Sequence, residues 1–262
     1  VNIYSAFLQN EWKNDRWGIL IGGRLDKHNM VDNVIFSPRA NLRFNPTQNI
    51  NLRLSYSSGF RAPQAFDEDM HIENVGGTVA MIERAKDLKE EKSQSFSVSA
   101  DMYHRFGAFQ TNLLIEGFYT RLTDVFVLGK PYDRGDGILV KTRSNGPGAK
   151  VMGLTLEGKV AYLSILQIQA GLTLQRSRYD EPHKWHDDAP AEKKIFRTPD
   201  TYGYFTATCT PIKPLSIALS GTYTGRMLVQ RMDITAENAE LGKMPERKAE
   251  AIRTPRFFQA FY

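Results

Sequence analysis

Leu166-Gln167-Ile168-Gln169-Ala170-Gly171-Leu172-Thr173-Leu174-Gln175 is the stretch that decides the fold. Its even positions are Leu, Ile, Ala, Leu and Leu, and its odd positions are Gln, Gln, Gly, Thr and Gln. A period of two puts all the apolar side chains on one face of a β-strand. The pattern recurs along the chain. Ile50, Leu52, Leu54 and Tyr56 alternate with Asn51, Arg53, Ser55 and Ser57; Phe96, Val98, Ala100 and Met102 alternate with Ser95, Ser97, Ser99 and Asp101; Leu215, Ile217, Leu219 and Tyr223 alternate with Ser216, Ser220, Thr222 and Thr224. Noisier segments lie at about 3–12, 17–27, 37–45, 110–121, 151–162 and 201–210, and a last one starts at Phe257. About eleven strands of roughly 9–12 residues result, longer than an ordinary globular strand and long enough to cross a bilayer at a tilt.

The connections sort into two classes that alternate along the chain. Short ones, carrying Asn, Asp, Gly and Pro, fall at Lys13–Arg16, Pro46–Asn49, His104–Phe109, about Leu163–Ile165 and Pro211–Pro214. Long ones fall at about 28–36, 59–92, 122–150, 178–200 and 227–256. Tight turns on one rim and long loops on the other are the plan of a transmembrane β-barrel, whereas a soluble sandwich has no reason to collect its long loops at one end. The polar faces carry Arg24, Asp26, Arg39, Arg43, Arg53, Asp101, Glu116, Glu157 and Lys159, which suit a wet lumen. Aromatic residues gather near strand ends, where interfacial girdles sit: Trp12, Trp17, Tyr56, Phe60, Tyr103, Phe106, Phe109, Tyr119, Tyr162, Tyr202, Tyr204 and Tyr223. Periodicity alone also fits a soluble antiparallel sheet whose apolar face is an ordinary core, but eleven one-sided strands then need a covering layer, and no amphipathic helix is read to supply it.

Composition bounds the rest. The 262 residues are 41% hydrophobic and 24% charged, with a mean hydropathy of −0.41, so the chain should fold. No apolar run reaches the 18 residues of a membrane helix. The formal charge of +5 is spread along the chain without a basic helix or zinc-ligand spacing, which argues against nucleic acid. One cysteine, Cys209, excludes an internal disulfide and a multi-cysteine metal site. It shares the apolar face with Phe205 and Ala207 and reads as a small hydrophobe. The chain starts at Val1 without a Met or a leader and stops within an aromatic strand, so missing sequence at both ends is expected.

Several segments, in order, resemble the C-terminal barrel half of TonB-dependent outer-membrane receptors. Tyr4-Ser5-Ala6-Phe7-Leu8-Gln9-Asn10-Glu11-Trp12 looks like the family's Y-x-x-F-x-Q-x-E-W strand, and Gly22-Gly23-Arg24-Leu25-Asp26 like its G-x-R-x-D strand. Ser37-Pro38-Arg39 with Pro46-Thr47 is similar to its S-P-R strand and P-T turn, and Gly59-Phe60-Arg61-Ala62-Pro63 to its G-F-R-A-P exit into a long loop. Glu91-Lys92-Ser93 is like the E-x-S start of the next strand, and Asn145 to Glu157 like the N-x-G-x-x-x-x-G-x-E-x-E segment. The resemblance implies an all-β, antiparallel transmembrane barrel, with residues 1–262 as the last half of 22 strands and the N-terminal plug domain and TonB box outside the chain. It implies import of a scarce large nutrient, a ferric siderophore, haem or cobalamin, energised by the TonB-ExbB-ExbD complex. Its partners would be outer-membrane lipid, the receptor's own plug and that ligand, with no cofactor and no chemistry on the substrate. A pore or adhesion barrel without energy coupling is the other reading, decided by whether a plug lies upstream.

Candidate residues follow. In the external loops Arg61, His183, Trp185 and His186 are the ligand-binding candidates, with Trp185 an aromatic anchor. Arg61 has a competing structural reading, in which it fixes the loop that Pro63 begins. His183 and His186 lie three apart with no helix to align them, so no metal site is expected. Arg53, Asp101, Glu116, Glu157 and Lys159 would, in this family, face the plug. Met81–Leu88 is expected to form one or two helical turns, and the acids and His71 of 64–91 a solvated loop. For catalysis there is no Gly-x-Ser-x-Gly elbow, and His104 with Ser97 or Ser99 is the least unsuitable set; no catalytic residue is assigned.

Overall fold

In a strand that alternates so regularly, side chains satisfy two environments while the backbone N–H and C=O groups need neighbours in the plane of the sheet. The computed structural model describes residues 2–29, 31, 33–63, 80–129, 132–135, 139–184, 189–234 and 247–261, and in it those neighbours are strands next in sequence. The strands are numbered in chain order. Eleven form one wall: β1 (Ile3–Lys13), β2 (Trp17–His28), β3 (Ile35–Thr47), β4 (Ile50–Arg61), β6 (Glu91–Phe106), β7 (Phe109–Thr123), β11 (Ala149–Tyr162), β12 (Leu166–His183), β14 (Thr201–Ile212), β15 (Leu215–Thr224) and β18 (Phe257–Phe261). Each pairs antiparallel with the next. This is the expected all-β antiparallel wall, with the expected number of strands.

The connections alternate as read. Residues 14–16, 48–49, 107–108, 163–165 and 213–214 turn at one rim, and the strand ends that border the connections 29–34, 62–90, 124–148, 184–200 and 225–256 are at the other. Two features depart from expectation. The long connections contain strands of their own. β5 (Ala80–Arg84) runs parallel to β10 (Leu139–Gly146), which also pairs with β8 (Val125–Leu128) and β9 (Tyr132–Asp133). β13 (Glu192–Lys194) adds to β12, and β16 (Leu228–Ile234) pairs with β17 (Arg247–Arg253). The helical turns expected over Met81–Leu88 are therefore absent: the first half is β5, and a turn closes where the Leu88 amide donates to the Ala85 carbonyl at 3.2 Å. The parallel partner supplied by β10 satisfies backbone groups that a short isolated helix would leave open.

Burial shows what the wall is built for. Among the described residues the buried hydrophobic side chains are Val31, Ile35, Ala62, Val140, Ala149, Ala189 and Leu228, all at or beyond the long-connection rim. The stripes in mid-strand are open: Leu154 is 48% exposed, Leu172 43% and Ile217 56%. A soluble sandwich would bury these stripes against a second layer. Among the described residues no helix lies over them. In the whole protein refolded into lipid vesicles, Leu156→Arg on the apolar face should lower unfolding free energy in urea by about 2–4 kcal/mol, and Thr206→Arg on the polar face by well under about 1 kcal/mol. Equal effects would show that the two faces do not meet different media.

Candidate functional site

Directly opposed residues of an antiparallel pair point to the same face, so the register assigns the faces without ambiguity. One row runs Arg43, Arg53, Ser99, Glu116, Thr155, Thr173, Tyr202, Thr224 from β3 to β15. The next row toward the short turns runs Asn51, Asp101, Leu114, Glu157, Gly171, Tyr204, Thr222, and Lys159 lies two residues beyond Glu157 on the same strand face. Arg53, Asp101, Glu116, Glu157 and Lys159 thus share one polar face.

Charge is unevenly spread on that face. Arg39, Arg43 and Arg53 stand on β3 and β4, whereas Asp101, Glu116 and Glu157 stand on β6, β7 and β11. Arg43 and Arg53 are directly opposed, an arrangement of like charges that weakens a sheet. Neither has an ion-pair partner among the described residues, nor do Arg39 and Glu116, and the Arg43 Nε is buried without an acceptor. On the acidic side the groups are better served. Asp101 accepts from the Tyr103 hydroxyl at 2.9 Å and from the Asn112 amide. Glu157 accepts from Tyr204 OH at 2.6 Å and from Gln169 Nε2 at 3.0 Å, and Lys159 Nζ lies 3.3 Å away.

Tyr204 makes this network through a glycine. It stands two strands from Glu157, with Gly171 between them in the same row. A Cβ on Gly171 would lie 2.5 Å from the Tyr204 ring, so the absent side chain is the space the ring crosses. Tyr103, Tyr202 and Tyr204, read from the sequence as girdle residues, lie on the polar face instead. Their nearness to strand ends matched a girdle, but their parity is that of the polar residues. Phe96 with Tyr56 and Phe109 with Tyr162 do pack as outward pairs, at 4.7 Å between ring centroids in each.

At the rim, Arg61 ends β4 opposite Glu91. Its guanidinium lies over the Phe126 ring at 5.5 Å, and the Phe126 amide donates to Glu91 Oε2 at 3.2 Å. Ala62, next in the motif, is buried with Val31 and Ile35, and Phe60 packs on them. Asn145 then ties two long connections together: its amide donates to the carbonyls of Lys89 and Asp124 at 3.1 and 2.8 Å, and its Oδ1 accepts from the Lys89 amide at 2.8 Å. The Asn145 motif was visible in the sequence, but its long-range partners were not.

His183 ends β12 opposite Glu192, half-buried, with its ring 5.4 Å from that of Tyr179. Burial holds its pKa below the usual 6.5 and that of Tyr179 above the usual 10.0, so His183 is neutral at pH 7. Arg61 and His183 share a rim but lie on β4 and β12, four strand spacings or roughly 19 Å apart. They do not form one compact pocket. Trp185 and His186 lie outside the described residues, as do His71 and the acids of 64–79. Among the described residues no group of three or more His, Cys, Asp or Glu side chains is placed to hold a metal.

The model of the TonB dependent receptor-like β-barrel family matches residues 1–238. The chain belongs to that family. Solved structures agree on the fold. The siderophore receptor PirA from Acinetobacter baumannii is 14% identical over 98% of this chain and 38% of its own, with a TM-score of 0.69. The FrpB iron transporter from Neisseria meningitidis is 14% identical over 98% and 37%, with a TM-score of 0.65. A mutant of the ferric enterobactin receptor from Pseudomonas aeruginosa is 16% identical over 98% and 36%, with a TM-score of 0.68. The chain thus spans well under half the length of these structures. No curated protein matches it. Barrels of this family are outer-membrane proteins of Gram-negative bacteria and act as receptors and transporters, not enzymes. That removes the soluble-module reading and the His104–serine hydrolase reading, and gives the apolar stripes their solvent.

The Tyr204 crossing carries a direct test. In the refolded receptor Gly171→Ala should destabilise by about 1–3 kcal/mol through overpacking against the Tyr204 ring, whereas Gly158→Ala, whose added Cβ meets nothing within 4 Å, should change stability by less than about 0.5 kcal/mol. Urea midpoints of the two variants measure the difference.

Proposed function

We propose that this chain is the C-terminal half of the barrel of an energised import receptor for a scarce large iron-bearing nutrient, of the ferric siderophore class. An N-terminal plug fills the lumen in this reading, and the TonB-ExbB-ExbD complex displaces it for each transported ligand. Haem, and the cobalt-bearing cobalamin, are alternative cargoes on the same ground of size: too large for porin diffusion and too dilute for passive uptake. The observation that carries the reading is the opposed pair Arg43 and Arg53 on the polar face of a family-matched wall. Among the described residues Arg39, Arg43, Arg53 and Glu116 have no ion-pair partner, and a second body seated on this face would be favoured where it supplies one. A plug bearing complementary charge would do so, with Asp101, Glu157 and Lys159 lining the same contact. A simple pore has less need of an arginine pair facing itself across two strands.

The sheet edges support the same reading. β1 and β18 do not pair with each other among the described residues, and open edges are not tolerated in a bilayer. Further strands of the parent would close the wall. At the external rim, Arg61, His183, Trp185 and His186 are proposed to contact ligand from separate points on the opening, as a cargo wider than one side chain requires.

Iron-starved cells expressing the whole receptor should bind and accumulate radiolabelled ferric siderophore, and a protonophore should abolish accumulation while leaving surface binding intact. The double variant Arg43→Glu/Arg53→Glu should lower uptake at saturating ligand by at least about tenfold, the equivalent of 1.4 kcal/mol, with binding affinity unchanged. Uptake insensitive to the protonophore would return the non-energised pore to the front.

A further inference from the structure

At the long-connection rim four wall strands meet their connections at one junction. β4 ends at Arg61, β6 starts at Glu91, β7 ends at Thr123 and β11 starts at Ala149. Arg61 is directly opposed to Glu91, and Ala149 to Leu122. Between β7 and β8 the chain turns at Asp124, whose φ of 55° puts a residue with a side chain in the left-handed region. Such a conformation persists where the surroundings fix it. Asn145, near the end of β10, does so: its side-chain amide donates to the Asp124 carbonyl at 2.8 Å. The same side chain engages Lys89 as a strand neighbour would, its amide donating to the Lys89 carbonyl and its Oδ1 accepting from the Lys89 amide. One asparagine of the connection 124–148 thus fixes both the kink out of β7 and the residues of 62–90 that lead into β6.

The kink decides where Phe126 goes, because β8 begins at Val125. The Phe126 amide donates to Glu91 Oε2 at 3.2 Å, and the Arg61 guanidinium lies over its ring at 5.5 Å from the centroid. Lys89 stands two residues before Glu91, so Asn145 holds the Phe126–Glu91 contact from both sides. Arg61 shares the parity of Arg53 and Ser57 on β4, the polar face, and is exposed at the mouth of the lumen. A long arginine side chain in water samples many rotamers, and a ring fixed beneath its guanidinium narrows them. Further along the same joint β5 pairs with β10, and the Ala85 amide donates to the Arg143 carbonyl at 2.8 Å.

We propose that Asn145 is a positioning residue for cargo capture, acting through Asp124 and Phe126 to hold the Arg61 guanidinium at the opening, ready for an anionic oxygen of the cargo. The assignment rests on the import reading and on Arg61 as a cargo contact. A guanidinium placed in advance leaves less ordering to be done on encounter, so the gain falls on affinity. Passage through the lumen does not depend on it.

A double-mutant cycle in the whole receptor on iron-starved cells tests the assignment. The probes are radiolabelled ferric tris-catecholate, ferric tris-hydroxamate and haem, and the cycle uses the one that the wild type binds most tightly. Asn145→Ala should raise Kd about tenfold, as it would if Arg61 were in place in about one molecule in ten, with the maximal uptake rate unchanged. Arg61→Gln should also raise Kd, and Arg61→Gln/Asn145→Ala should bind no more weakly than Arg61→Gln alone, since one residue acts through the other. Heat-modifiable migration confirms folding; should Asn145→Ala fail that check, Phe126→Leu, which removes the ring and keeps the backbone bond to Glu91, takes its place in the cycle with the same expectations. Additive losses, an unchanged Kd, or a fall in maximal uptake at unchanged Kd would overturn the positioning role and leave the import reading standing. A wild type that binds none of the three probes would instead overturn the import reading on which the role rests.

Discussion

Backbone hydrogen bonding in a medium without water governs this structure. Inside a bilayer each unpaired N–H or C=O costs several kcal/mol, so a chain with no apolar helix can cross only as strands paired edge to edge. From that requirement follow the consecutive antiparallel pairing of the eleven wall strands, the short turns at one rim and the freedom of the other rim to carry long connections. The side chains are then released from making a core. Outward positions take whatever lipid accepts, and inward positions take whatever water or a second body accepts.

The second requirement is geometric. Strand neighbours are about 4.8 Å apart, so a large side chain in mid-wall can reach a partner two strands away only if the residue between gives way. Gly171 does so for Tyr204 and Glu157. The charge layout obeys the same spacing. Arg43 and Arg53 are adjacent and repel, Asp101 accepts from a hydroxyl and an amide, and Glu157 accepts from a hydroxyl and an amide beside the Lys159 ammonium. Function in this family is thus written on a surface, with no reacting centre among the described residues to find.

Much of this was legible in the sequence because the decisive information is local. A period of two survives in Leu166–Gln175 whatever the neighbours are, and the short and long connections need only counting. The parity that placed Arg53, Asp101, Glu116, Glu157 and Lys159 together is the same local signal. What was not legible depends on residues far apart in the chain. Ala80–Arg84 has no clear alternation, and it is a strand because Leu139–Arg143 lies alongside. Tyr204 near a strand end looks like any girdle tyrosine until Gly171 is placed beside it. Arg176 and Arg178 continue the parity of Leu172 and Leu174, but a long connection was expected from about 178; β12 runs on to His183 because β11 and then β13 keep pairing with it.

The central claim is that one face of each strand meets lipid and the other an aqueous lumen. It is tested most directly by single cysteines at Leu154, Thr155, Leu156 and Glu157 of β11 in a Cys209→Ser background of the whole receptor in outer membranes. Each is labelled with a polarity-sensitive fluorophore and quenched from the lipid phase or from water. Positions 154 and 156 should be quenched from lipid and positions 155 and 157 from the aqueous side, alternating residue by residue. Quenching of all four from one side, or with no alternation, would contradict the account.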